Sequence, residues 1–235
     1  MDLNVAGIIF DKDGTLFDFN KTWGAITKTL IENECAHDPS QTSALADALG
    51  FDQDLAVFRP GSIVIASTAE TVAEAILPFT LDQDKDALID RMTRATSDTP
   101  QVQVTDLRKL FSDLRHRDLK LGIATNDGEA PARANLAQAN VTDFFGFIAG
   151  YDSGFGEKPA PGQLLAFCEH ENLKPAECVM VGDSLHDLHA GRAAGMRTVG
   201  VLTGPALHAE LSPFADIVLD SIADLPNWLD QLLNA

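Results

Sequence analysis

Cysteine is scarce: the 235 residues hold three, Cys35, Cys168 and Cys178. An odd number without C-x-x-C spacing argues against a disulfide frame and a zinc site, and fits thiols kept reduced inside a cell. Positive charge is also short. Seventeen Lys and Arg stand against 35 Asp and Glu, a formal charge of −18. Such a field repels phosphate backbones and anionic membranes, so neither a nucleic acid nor a membrane is expected as a partner. No apolar run approaches the roughly 18 residues that span a bilayer. Repeats and low-complexity segments are lacking too. The first apolar run begins within a few residues of Met1, which leaves no room for a signal peptide, and a cytoplasmic protein is expected.

What is present suits a globular chain: 45% apolar and 22% charged residues, at a length fitting one sizeable domain or a core with a smaller insertion. Short apolar runs ending in turn residues recur as VAGIIF, LKLGIAT, FGFIAGY, CVMVGD, RTVGV and ADIVL. They read as strands buried on both faces, as in a parallel sheet. Helical patterns separate several of them. TDLRKLFSDLRHR carries Leu107, Leu110, Phe111 and Leu114 on one face, and GQLLAFCEHENL and HDLHAGRAAG precede further strands, the last with Gly195 placed to stop a helix. The alternation predicts an α/β fold with a doubly wound, Rossmann-like parallel sheet.

Residues 19–98 break that rhythm. KTWGAITKTLIENE, QTSALADALG, TAETVAEAIL and KDALIDRMTRAT all read as helices, with GSIVIAS ambiguous. The expected organisation is a core of residues 1–18 and 99–235 with an inserted, all-helical cap of residues 19–98. Trp23, Ile26 and Leu30 form an apolar stripe expected to pack that cap.

Ligands gather at the carboxyl ends of strands in an open parallel sheet. Four polar clusters fall there: Asp11-Lys12-Asp13-Gly14-Thr15, then Thr125-Asn126-Asp127, then Lys158 in GEKPAP, and last Gly182-Asp183-Ser184 with Asp187. Carboxylates at the end of a buried strand are costly to desolvate unless paired. Asp11 and Asp183 are hard oxygen donors suited to Mg²⁺, while the hydroxyl, amide and ammonium groups suit a phosphoryl group.

In this order the clusters resemble the haloacid dehalogenase superfamily, in its phosphatase branch with a helical cap, near the phosphoglycolate phosphatases. D-x-D-G-T is met by Asp11 to Thr15, the strand-ending Ser or Thr by Thr125, the Lys before Pro by Lys158, and G-D-x-x-x-D by Gly182, Asp183 and Asp187. The resemblance spans the chain and implies a Mg²⁺-dependent phosphomonoester hydrolase acting on a small phosphorylated metabolite, with phosphoglycolate as the leading guess. It implies that Asp11 attacks phosphorus, forming an aspartyl phosphate, and that Asp13 acts as general acid and then base. It further implies that Thr125, Asn126 and Lys158 bind the phosphoryl group. The metal would sit on Asp11, Asp183 and the backbone carbonyl of Asp13, with Asp187 orienting the shell or Lys158. Gly14 would permit close backbone approach, and Thr15 would brace the loop. Relatives lacking an acid at the Asp13 position dehalogenate or cleave phosphonates, and cation-pumping ATPases carry D-K-T-G-T with a persistent phosphoenzyme. Retention of Asp13 beside Lys12 implies turnover.

Other readings stay open at single residues. Asn126 and Asp127 suit a turn or helix cap as well as substrate contact, and Ser184 suits a helix cap as well as the metal shell. His186 and His189 are expected to be solvated, and Lys12 to be exposed and non-catalytic. In FRPGS, Arg59 and Ser62 could bind a carboxylate or second anion of the substrate, or Arg59 could lie on the surface; Lys21 and Lys28 are expected on exposed helix faces. Two rival functions remain: a phosphomutase using the same residues, and a non-catalytic module phosphorylated on Asp11.

Overall fold

The structure, a computed structural model, describes residues 5–233 except 36–37, 60, 66, 81 and 99–100. The run GIIF forms β1 (Gly7–Phe10), with all four residues buried. The chain then leaves the sheet through α1 (Phe19–Glu34), α2 (Pro39–Leu49), a ribbon of β2 (Phe51–Asp52) and β3 (Val57–Phe58), α3 (Ala69–Ile76) and α4 (Lys85–Asp98). It returns as α5 (Leu107–His116), β4 (Lys120–Ala124), α6 (Glu129–Gln138), β5 (Phe147–Ala149), α7 (Gly162–Glu171) and β6 (Cys178–Gly182). Last come α8 (Leu185–Ala194), β7 (Arg197–Val201), the short α9 (His208–Leu211), β8 (Ile217–Leu219) and α10 (Leu225–Leu233).

Six strands pair in parallel in the order β5-β4-β1-β6-β7-β8. All six expected strands are present, and β1 lies inside the sheet, Ile9 opposite Gly122 of β4 and Met180 of β6. Successive strand residues face opposite sides. Ile8 and Phe10 accordingly pack with Leu110, Phe111 and Leu114 of α5, Leu136 of α6 and Trp228 of α10. Ile9 and Met180 pack on the other face with Leu164 and Phe167 of α7 and Ala190 of α8. Helices on both faces make the doubly wound α/β architecture. The three cysteines are buried and free, and no described helix is long and apolar enough to cross a membrane.

The inserted helices have their own apolar cluster, with Ile31 of α1, Leu45 and Leu49 of α2, Val72 and Ile76 of α3 and Leu88 of α4 at its centre. Polar caps start them: Asp18 accepts from Lys21 N, Asp38 from Ser40 N, and Thr68 from Thr71 N. The insertion differs from the expected all-helical pattern in one detail. Phe51 and Phe58 pair across the β2–β3 ribbon, and the Asp52 carboxylate accepts the N–H groups of Asp54 and Leu55 in the turn. Two-residue strands are too short to show alternation in a sequence. The ambiguous GSIVIAS forms no strand among its described residues.

Candidate active site

Parallel strands bring their carboxyl ends to one edge, and that edge collects the polar residues. Asp11 follows β1, its N–H donating to the Val181 carbonyl of β6 at 2.9 Å. Lys158 arrives on the loop after β5 and places Nζ 2.7 Å from Asp11 Oδ1 and 2.6 Å from Asp187 Oδ1. The other Asp187 oxygen accepts Ser184 N–H and Oγ–H at 3.0 and 2.7 Å. Both oxygens of Asp187 are thus engaged in fixing Lys158 and the start of α8, and Ser184 caps that helix. Asp183 follows β6 and accepts from Thr15 Oγ1 at 3.1 Å.

Two glycines let backbone crowd the Asp183 carboxylate. Gly14 has φ +78°, and a Cβ on either Gly14 or Gly204 would collide with Asp183. Thr203 Oγ1 donates to the Gly14 carbonyl at 2.6 Å, tying the loop after β7 to the loop after β1. No motif marks Thr203 and Gly204, although the strand-end rule reaches RTVGV and the LTG that follows it.

Negative charge exceeds positive charge here. Asp11, Asp183 and Asp187 each offer an oxygen, and these atoms lie within 4.8 Å of one another. Burial pushes the Asp11 carboxyl up to about 7, opposed by Lys158 and helped by Asp187 and Asp13. Burial carries Asp183 well above the usual carboxylate range, with Asp11 and Asp187 adding to the effect. Burial also works against the Lys158 ammonium, but Asp11 and Asp187 outweigh it and hold the group above the usual lysine value. Among the described residues, one ammonium for the three buried carboxylates is a donor set that fits a hard divalent cation.

The second cluster forms a turn, one of the two readings its sequence leaves open. Thr125 is 1% exposed, and its Oγ1 accepts the Asp127 N–H at 3.0 Å. Asn126 clamps the backbone of Lys158: its Oδ1 accepts Lys158 N–H at 2.8 Å and its Nδ2 donates to the Lys158 carbonyl at 2.9 Å. The amide therefore aims the lysine. Lys12, expected to be exposed, is 0% exposed. Its ammonium meets Asp13 at 2.9 Å, Asp127 at 3.1 Å and Asn135 Oδ1 of α6 at 3.0 Å. Three polar partners supply what water would otherwise give. Burial opposes its charge, and Asp13 and Asp127 raise its pKa regardless.

Trp23 does more than pack among the inserted helices, for its indole N–H donates to Asp13 Oδ1 at 2.9 Å. Asp11, Asp13, Thr125, Asn126, Lys158, Asp183 and Ser184 share one cavity with residues of α1, α3 and α4. Arg59 is not brought there: its guanidinium bonds Asp47 at 3.1 Å on an exposed surface. Ser62 gives its hydroxyl to the Leu49 carbonyl at 2.5 Å. His186 and His189 are exposed on α8, His189 against the ring of Phe214.

The sequence matches the family model of haloacid dehalogenase-like hydrolases over residues 8–201. It is 28% identical over 229 residues to a phosphoglycolate phosphatase of Rhodospirillum rubrum, spanning 94% of this chain and 90% of that one. To an N-acetylmuramic acid 6-phosphate phosphatase of Pseudomonas putida it is 26% identical over 243 residues, spanning 98% and 99%. A solved HAD family hydrolase from Deinococcus radiodurans, with bound phosphate and sodium, superposes with a TM-score of 0.71 at 21% identity, over 98% of this chain and 97% of that one. At that identity the likeness is one of fold.

Proposed function

Because this chain belongs to the haloacid dehalogenase-like hydrolases and is a phosphatase, we propose that it hydrolyses a small-metabolite phosphomonoester through an aspartyl phosphate on Asp11, with Mg²⁺ as cofactor. The supporting observation is the convergence of Asp11, Lys158 and Asp183 from three strand ends, with Lys158 Nζ 2.7 Å from Asp11 Oδ1. Residues 19–98 serve as the cap over that core.

Asp11 attacks phosphorus, one of its oxygens forming the new P–O bond while the ester P–O bond breaks. The departing alkoxide takes a proton from Asp13. Water then attacks the phosphorus of the aspartyl phosphate and gives a proton to Asp13, and the bond to Asp11 breaks to release inorganic phosphate. Lys158 offsets the repulsion between the Asp11 carboxylate and the phosphoryl oxygens, and Asp187 with Asn126 holds it in place. Thr125 binds a phosphoryl oxygen. Asp11, Asp183 and the Asp13 carbonyl would hold Mg²⁺, which when bound neutralises charge on the transferring group.

The test is inorganic phosphate release from a panel of metabolite phosphates, 2-phosphoglycolate included, with Mg²⁺ and with chelator. Magnesium-dependent release that Asp11→Asn abolishes without unfolding supports the reading. Release retained by Asp11→Asn removes the nucleophile. Phosphoryl transfer between sugar phosphates without free phosphate would identify a mutase, and a stable aspartyl phosphate in the wild-type protein a phosphorylated module.

A further inference from the structure

Resting on that phosphatase reading, we propose that the substrate is the phosphomonoester of an uncharged, largely apolar alcohol rather than of a hydroxy acid. The two sides of the cavity differ in chemistry. The core side carries Asp11, Asp13, Thr125, Lys158 and Asp183. The cap side is formed chiefly of hydrocarbon, with Ile26, Leu30, Leu49, Ile65, Val72 and Met92 all facing the space.

No cap lysine or arginine lines the cavity among the described residues. Lys21 is paired with Asp18, Arg59 with Asp47, Lys85 with Glu74 and Arg91 with Glu34. Lys28 and Arg94 are exposed. The lining cation is Lys158, already bonded to Asp11 and Asp187 and placed for the phosphoryl group. A helix N-terminus does reach the cavity, since Ser67 and Ala69 at the start of α3 line it. That first turn carries Glu70, and Thr68 Oγ1 accepts the Thr71 N–H, which leaves a poor seat for an anion.

A carboxylate on the leaving group would lose its water against these side chains and find no counter-charge, with Asp13 and Asp127 also on the wall. An alkyl or aromatic group gains there from every methylene it buries. The hydroxyls of Thr27, Ser67 and Thr93 on the cap side permit a hydroxyl or ether oxygen, and nothing more polar.

The test compares kcat/KM for n-hexyl phosphate and ethyl phosphate, esters of uncharged alcohols, with 2-phosphoglycolate, the ester of a hydroxy acid, with Asp11→Asn as the background. Hexyl phosphate should exceed both others by about tenfold or more. Ile65 is half-buried on the cap side, so Ile65→Lys, or Val64→Lys should that protein fail to fold, places a cation in the cavity. The lysine should lower kcat/KM for the hexyl ester and raise it for phosphoglycolate, each by about tenfold. Asp11-dependent release that favours phosphoglycolate, or a preference the lysine leaves unmoved, overturns the apolar substrate and leaves the phosphatase standing. Absence of Asp11-dependent release from all three esters overturns both.

Discussion

Asp13 lies between two donors, Lys12 Nζ at 2.9 Å and Trp23 Nε1 at 2.9 Å, and its carboxylate faces the cavity that Asp11 also lines. On the proposed mechanism Asp13 gives a proton to the leaving oxygen and then takes one from water, and two fixed donors limit its rotation. Asp13→Asn should therefore slow hydrolysis of alkyl phosphates by about 10²–10⁴ and of aryl phosphates much less, because a phenolate leaves without a proton. Equal losses for both ester types in steady-state assays would remove Asp13 as the acid. Lys12 has a structural task as well. It neutralises Asp13 and Asp127, whose burial has raised the Asp127 pKa despite the pull of Lys12. Lys12→Met should lower unfolding stability by about 3 kcal/mol in urea titrations, since it strands two partly paired carboxylates. An unchanged midpoint would show that these charges need no internal cation. From sequence alone Lys12 is expected in solvent because two of its three partners are remote: Asn135 is 123 residues away and becomes a neighbour only when α6 docks.

Helix α1 joins the inserted helices to the polar cluster at the strand ends. It carries Trp23 to Asp13, while Glu70 of α3 accepts from Tyr151 on the core loop after β5 at 2.7 Å. Asn135 Nδ2 of α6 donates to the Thr96 carbonyl of α4 at 3.2 Å, a third tie between the two parts. Trp23→Phe keeps most of the ring and removes the N–H, so it should reduce kcat on alkyl phosphates by about tenfold, the scale of one hydrogen bond to a charged group. Unchanged pre-steady-state rates would place Trp23 among the packing residues alone. These elements were readable to different degrees. Strands such as GIIF and CVMVG announce themselves because burial on both faces demands unbroken apolar runs, and α5 because its apolar residues keep one face. The β2–β3 ribbon escaped because it depends on Phe51 and Phe58 meeting across a turn. The expectation that Trp23 simply packs the inserted helices has a similar cause: a helical stripe shows which face is inward, and not whether the inward space is protein or a cavity.

On the scale of the whole molecule, the charge of −18 repels nucleic acids and anionic surfaces, while inside it a dense carboxylate cluster waits on one ammonium. A carboxyl whose folded pKa exceeds its unfolded value supports the fold while protonated, and that support is lost as pH rises through the folded value. For Asp11 the window runs from its ordinary 3.8 to about 7, and Asp183 moves in the same direction. Without divalent cations, thermal stability should fall as pH climbs through that range. Added Mg²⁺ should raise Tm more at pH 8 than at pH 5, because a cation gains most where the carboxylates are ionised. A magnesium effect independent of pH in scanning calorimetry would contradict a carboxylate site. The four motif clusters themselves were readable as a set, since strand-end residues in a parallel sheet converge whatever the loops do. Their division of labour was not. That Asn126 holds Lys158, and that Arg59 stays outside, follows from loop paths and packing that no spacing encodes.

The central claim is that Asp11 carries the phosphoryl group between substrate and water. Its most direct test is rapid mixing with a ³²P-labelled alkyl phosphate and Mg²⁺, acid quenching within one turnover, and peptide mapping of the label. The account predicts label on Asp11 that rises and decays at rates consistent with kcat, and none in Asp11→Asn. Phosphate release at full rate with no label passing through Asp11 would contradict it.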